Sequence, residues 1–204
     1  MDFDARFPAM NAFIAGLPDG LASHPQCSAK ATLYRTLSET MPLQPDELAA
    51  MPAPLRELIE RPAPVSSWIP EVYSHAIMLS IYDRRFTNLA SFADHAYKHQ
   101  RRLFEGPLYA VAFRIITPAL VVKTSALRWR MFHRGMKFIP NELSPGHGQV
   151  RLEYPHGVYE AVLRRALCEA LRAALDMTNG GGNTVLELEA SRTHAVLDVH
   201  WRLP

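Results

Sequence analysis

The sequence predicts an α+β fold, with a helical N-terminal two-thirds packed on a C-terminal antiparallel sheet of order strand-strand-helix-strand-strand. Three observations carry that reading. Val150, Leu152 and Tyr154 alternate with Arg151 and Glu153, and Ala195, Leu197, Val199 and Trp201 alternate with Asp198 and His200. A period of two belongs to a half-buried strand. Between these segments Val162, Leu163, Ala166, Leu167, Ala170, Leu171 and Ala174 recur at helical spacing. Upstream of Gly135 the period is helical, and prolines cut it into short lengths.

Phe3, Phe7, Met10, Phe13 and Ile14 make one apolar face before Gly16, Pro18 and Gly20 break it, which suits an arm docked on the body. A helix is expected from about Gln26 to Glu39, with Leu33, Tyr34 and Leu37 on one side. Short helices are expected at 45–51 and 54–60, where Pro42, Pro45, Pro52, Pro54, Pro62, Pro64 and Pro70 act as stiff joints. Ser66 and Ser67 offer caps, Pro70 suits a first turn, and Glu71 places negative charge at the positive end of the helix dipole. A helix is therefore expected from about Trp68 to Tyr82, and a second from about Leu89 to Phe104, stopped by Gly106-Pro107. Leu108 to Ile116 is apolar nearly all round except at Arg114, the pattern of a central helix. Thr117-Pro118 opens another, reaching Leu127 or Phe132.

Beyond Gly135 strands are expected near 136–143 and 149–154, joined by the turn Ser144–Gly148. The helix 158–176 follows, then a loop at 179–183 and strands at 184–190 and 195–201. In the first of these strands Leu186, Leu188 and Ala190 share a face opposite Glu187 and Glu189. The chain divides into a helical N-terminal extension, 1–65, packed on an α+β body, 66–204.

Hydrophobic residues make up 48% of the 204, enough for a core, and a net charge of +2 argues against a polyelectrolyte binder. The two cysteines, Cys27 and Cys168, stand far apart and form neither a disulfide framework nor a zinc ribbon. The start, Met1-Asp2-Phe3-Asp4, is acidic where a secretory signal needs positive charge. Leu108 to Val122 is interrupted by Arg114 and Pro118, so no membrane span is expected and the setting reads as cytoplasmic.

Candidate chemistry is sparse. His95 and His99 lie four apart with Asp94 adjacent, but Ala96 stands where a zinc protease needs Glu, and no third ligand is near in sequence. His75 and His133 lack the context of a haem ligand. Arg114, Lys123, Arg128, Arg130, Arg134 and Lys137 form a basic stripe across a helix and a strand, which argues against a single nucleic-acid surface. Ser66-Ser67 lacks a nucleophile elbow, and Gly180-Gly181-Gly182 lacks the Lys-Ser/Thr of a phosphate loop. No acid–base pair or nucleophile can be placed, so the chain reads as non-enzymatic, without metal or cofactor.

The helical first half, the run Arg101-Arg102-Leu103-Phe104-Glu105-Gly106-Pro107-Leu108-Tyr109, the Thr117-Pro118 helix and the terminal strand-strand-helix-strand-strand unit resemble an uncharacterised paralogous family expanded in myxobacteria. More remotely, residues 66–201 resemble the fold shared by haem-nitric-oxide-binding domains, 4-vinyl-reductase-type domains and a vesicle-tethering subunit family. That resemblance implies a small or hydrophobic ligand held between helices and sheet, or an assembly role. The Tyr-x-Ser-x-Arg motif that holds haem propionates in such domains is absent: Tyr34-Arg35-Thr36-Leu37-Ser38 fails the spacing.

The functional expectation is a sensory or regulatory module with an apolar cavity lined by Trp68, Val72, Tyr73, Phe92, Phe104, Tyr109 and Phe113, with His75 and Arg114 orienting the ligand. The alternative is a scaffold that forms a homodimer without ligand, using an exposed helix or the final strand.

Overall fold

The structure is a computed structural model, and it describes residues 4–105, 116–179 and 181–203. The expected central helix over Leu108–Ile116, with Tyr109, Phe113 and Arg114, lies outside the described residues save for Ile116. The described elements run α1 (Pro8–Ala15), β1 (Ser28–Lys30), α2 (Thr32–Thr40), α3 (Pro45–Ala49), α4 (Ala53–Glu60), β2 (Trp68–Pro70), α5 (Glu71–Arg85) and α6 (Leu89–Glu105). They continue with α7 (Pro118–Phe132), β3 (His133–Arg134), β4 (Lys137–Ser144), β5 (His147–Glu153), α8 (Ala161–Asn179), β6 (Thr184–Ala190) and β7 (His194–His200). The fold is α+β as expected, with helices in the N-terminal part and the larger sheet in the C-terminal part.

Two compact units form. The first takes the chain up to Thr87 with Arg130–Met136 and Pro155–Glu160. Its core buries Phe7 just before α1, Met10, Phe13 and Ile14 from α1, Tyr34 from α2, Leu55 from α4, and Val72, Ala76, Ile77, Leu79 and Ile81 from α5. The first apolar face is thus a short docked helix. Its free N-terminal amides are satisfied from outside: Ala9 and Met10 N–H donate to the Asp83 carboxylate of α5 at 3.0–3.1 Å, a tertiary cap.

A small sheet of order β2-β1-β3 is the main feature the sequence pattern does not show. It replaces the helical starts expected at Gln26 and Trp68, because Ser28–Lys30 pairs antiparallel with Trp68–Pro70 and Ser28–Ala29 with His133–Arg134. Ser66 and Ser67 consequently do not cap α5, which starts at Glu71 after Pro70. Gly135 lets β3 approach β1: its φ is +78°, and a Cβ there would lie 2.6 Å from the Gln26 carbonyl oxygen and 2.7 Å from Cys27 Sγ.

The second unit holds Asn88–Trp129, Lys137–Tyr154 and the chain from Ala161 on. Its antiparallel sheet has the order β4-β5-β7-β6. Val150 and Leu152 of β5 and Ala195, Leu197 and Val199 of β7 fill the buried face, as the alternation predicts. Trp129 of α7 stacks on Phe138 of β4, ring centroids 4.9 Å apart. The facing expected in β6 is reversed. Val185 is buried, whereas Leu186 and Leu188 are 53% and 56% exposed. Register explains it: Val185 opposes Val199 and Leu186 opposes Asp198, so Leu186 shares the wet face, and the ladder shifts between Glu187 and Glu189. Among the described residues no helix is long and apolar enough to cross a membrane.

Candidate functional site

The densest buried polar constellation described lies in the first unit, around Glu71. Pro70 precedes it at φ −53°, and the Glu71 amide donates to the Cys27 carbonyl at 3.1 Å. Its side chain is fully buried. One carboxylate oxygen, Oε1, meets His75 Nε2 at 3.0 Å, one turn along α5, and His133 Nδ1 at 2.9 Å, delivered by β3. The other, Oε2, has no hydrogen-bond partner among the described residues. His75 Nδ1 donates to the Val158 carbonyl at 2.9 Å, and its ring meets Tyr159 edge-on at 4.6 Å.

Electrostatics settle the charge of the carboxylate. Burial alone would raise the Glu71 pKa, but the charge and hydrogen bond of His133, then those of His75, outweigh it and hold the group at about 2. The helix N-terminus acts in the same direction. His75 therefore faces an ionised carboxylate at one nitrogen and a carbonyl at the other. Both partners are acceptors, so each ring nitrogen of His75 sits against an oxygen lone pair. A second histidine holds the same loop, since His24 Nε2 lies 3.0 Å from the His156 carbonyl. The cluster thus ties α5, β1, β3 and the 155–160 segment into one network. Side-chain exposures of 0% for Glu71, 4% for His75 and 11% for His133 give a substrate no surface to meet. Its chemistry is that of a buried charged pin.

Neither cysteine adds a nucleophile. Burial, then the Glu71 charge, pushes the Cys27 thiol up to about 11, and burial pushes Cys168 up to about 12.

The residues predicted from sequence to line a cavity distribute as follows. In the first unit Val72 and His75 are buried, while Trp68 and Tyr73 are partly exposed. The face of Trp68 is covered by the Arg134 guanidinium at 3.8 Å and the Lys30 ammonium at 4.3 Å. In the second unit Phe92 is buried and Phe104 is partly exposed. Tyr73 borders an open cleft of about 320 Å³ with Ile69, Pro70, Pro54, Leu58, Glu57 and Arg61. A second cleft, of about 270 Å³, lies between Lys30, Thr32, Val65, Ser66, Met131 and Phe132.

His95 and His99 stack with centroids 6.0 Å apart on α6. Burial, then neighbouring cationic groups, lowers the pKa of both. Among the described residues a different trio brings three metal-ligand atoms together: His147, Asp198 and His200, within 4.8 Å of one another on the wet face of the second unit's sheet. Alternation places Asp198 and His200 on that face, but in the sequence pattern His147 falls within the Ser144–Gly148 turn, and its register against His200 is set by pairing.

No family model and no curated protein matches the chain. Solved structures do. A structure bearing on H-NOX activation matches with a TM-score of 0.58 at 10% identity, covering 85% of this chain and 95% of that one. An oxygen-binding H-NOX domain related to soluble guanylate cyclases, in its oxygen complex, matches with a TM-score of 0.58 at 8% identity over 85% of this chain and 93% of that one. A protein studied for haem redox potential under porphyrin distortion matches with a TM-score of 0.54 at 8% identity over 84% and 97%. At such identities the likeness is one of fold alone.

Proposed function

We propose that this chain is a non-enzymatic sensory or regulatory module that binds a small hydrophobic ligand, with Ile69, Pro70 and Tyr73 forming part of the seat. The observation that carries the reading is the cleft of about 320 Å³ beside Tyr73, of a size for a small molecule, in a chain of a fold whose solved examples include an oxygen-binding domain. Apolar Ile69, Pro54 and Leu58 supply contact area, and Glu57 and Arg61 at the rim supply orientation. Kinship with the myxobacterial paralogous family and a cytoplasmic setting belong to the same proposal.

Haem is not the ligand proposed. Both ring nitrogens of His75 are taken by Glu71 and Val158, His133 Nδ1 lies on Glu71, and the sequence lacks the propionate-holding motif. His75 and His133 are therefore held by protein partners and do not fit the role of a haem ligand.

A homodimeric scaffold is the second reading, favoured by strand β6 at the sheet edge, where Leu186 and Leu188 stand exposed. Native mass spectrometry of the full chain purified from its own host decides between the two. A small-molecule adduct on wild type that Tyr73→Ala loses supports the sensor. The bare monomer mass overturns it, and twice the chain mass without adduct favours the scaffold. A Soret-type absorption band in the purified chain would reinstate haem.

A further inference from the structure

We propose that His147, Asp198 and His200 form a mononuclear site for a divalent transition ion of the zinc class. The proposal is independent of the ligand reading above. Antiparallel pairing sets His147 directly opposite His200 and Gln149 opposite Asp198, so all four side chains rise from the same solvent-facing side of β5 and β7. The two imidazole rings lie parallel, 5° apart in plane and 4.2 Å between centroids. Each turns Nε2 onto a different oxygen of the same carboxylate: His147 to Oδ1 at 2.8 Å and His200 to Oδ2 at 2.7 Å.

This is a built arrangement. The Asp198 side chain is only 14% exposed beneath the two rings, and Gln149 Nε2 reaches its Oδ1 at 3.4 Å. Glycines flank His147. Gly146, at φ +80°, accepts a hydrogen bond from the Trp201 amide at 2.9 Å, and a Cβ on Gly148 would come within 3.0 Å of the Asn141 carbonyl oxygen and 3.3 Å of the Trp201 ring. The backbone beneath all three ligands is thus fixed by the ladder and by Trp201.

Two imidazole nitrogens and one carboxylate oxygen are the donor set that zinc, nickel, copper or ferrous ions take, and a poor set for calcium or magnesium, which prefer all-oxygen shells. An ion entering between the three atoms replaces the two Nε2–H···O bonds by two Nε2–metal bonds and one oxygen–metal bond. The displaced protons move to Nδ1 or to solvent, and water completes the shell from the open side.

The test uses the full chain freed of metal by chelator and titrated with zinc chloride at neutral pH by calorimetry, with cobalt(II) as a spectroscopic reporter. The expected result is one ion per chain and a tetrahedral or five-coordinate cobalt band. His200→Ala, at a half-exposed position that leaves the fold intact, and Asp198→Asn each weaken binding at least tenfold, while His95→Ala/His99→Ala leaves it unchanged. Absence of zinc binding to folded wild type, binding indifferent to His200→Ala and Asp198→Asn, or binding lost in the His95/His99 variant would overturn the proposal.

Discussion

Glu71 and His75, one turn apart on α5, meet at 3.0 Å with neither side chain open to water. Glutamine keeps an acceptor oxygen but removes the buried negative charge that both His75 and His133 face. Glu71→Gln is therefore expected to lower stability by about 3–5 kcal/mol, read as a shift in the urea midpoint.

The same carboxylate sets an acid limit. Its pKa falls from an ordinary 4.5 to about 2 on folding. A lowered carboxyl pKa gives stability that is fully present above the ordinary value and is lost as pH falls from there toward the folded value. Wild type should lose stability more steeply than Glu71→Gln between pH 4.5 and pH 2. Parallel slopes in melting temperature across that window would refute the assignment.

Glu47 offers a comparison nearer the surface. Its carboxylate meets Arg85 at 2.6 Å and Arg84 at 2.8 Å, and accepts from the Gln44 amide at 2.8 Å. The hydrogen bond from Arg85 is the chief reason its pKa lies at about 2. Both arginines are partly solvated, so Glu47→Ala should cost less than Glu71→Gln, about 2 kcal/mol by denaturant titration.

Gly135→Ala combines a left-handed φ with a Cβ 2.6 Å from a carbonyl oxygen, and should cost about 2–4 kcal/mol. Gly20, at φ +55° with its nearest atom 3.7 Å away, carries the backbone cost alone, so Gly20→Ala should cost about 1 kcal/mol. Equal melting temperatures for the two variants would show that β3 has room to retreat from β1.

The facing of the large sheet is tested by Leu197→Asp and Leu186→Asp. Leu197 is 0% exposed and Leu186 is 53% exposed. A buried unpaired carboxylate costs several kcal/mol, whereas the exposed position should change stability by less than about 0.5 kcal/mol.

Much of this architecture was legible from spacing. The period-two segments at β4, β5 and β7, the helix α6 and the Thr117-Pro118 start of α7 stand where the pattern puts them. What escaped was decided by pairing between distant segments. Strands of two or three residues, such as β1, β2 and β3, are too short to show a period. Leu186 and Leu188 mimic an inward face, but the register with β7 turns them outward. Glu71 was legible as a helix-dipole residue, while its burial between two histidines depends on β3 returning from more than sixty positions along the chain. The trio on β5 and β7 required the register of His147 against His200, which no single segment encodes.

Cys27 belongs to the first unit and Cys168 to the second, each sealed from solvent and kept as the uncharged sulfhydryl. Alkylating reagents consume the thiolate, so each modification event reports a moment when the surrounding unit has come apart. The chain therefore carries one built-in clock per unit, and mass-resolved labelling rates at the two positions would time the breathing of each half without any added probe.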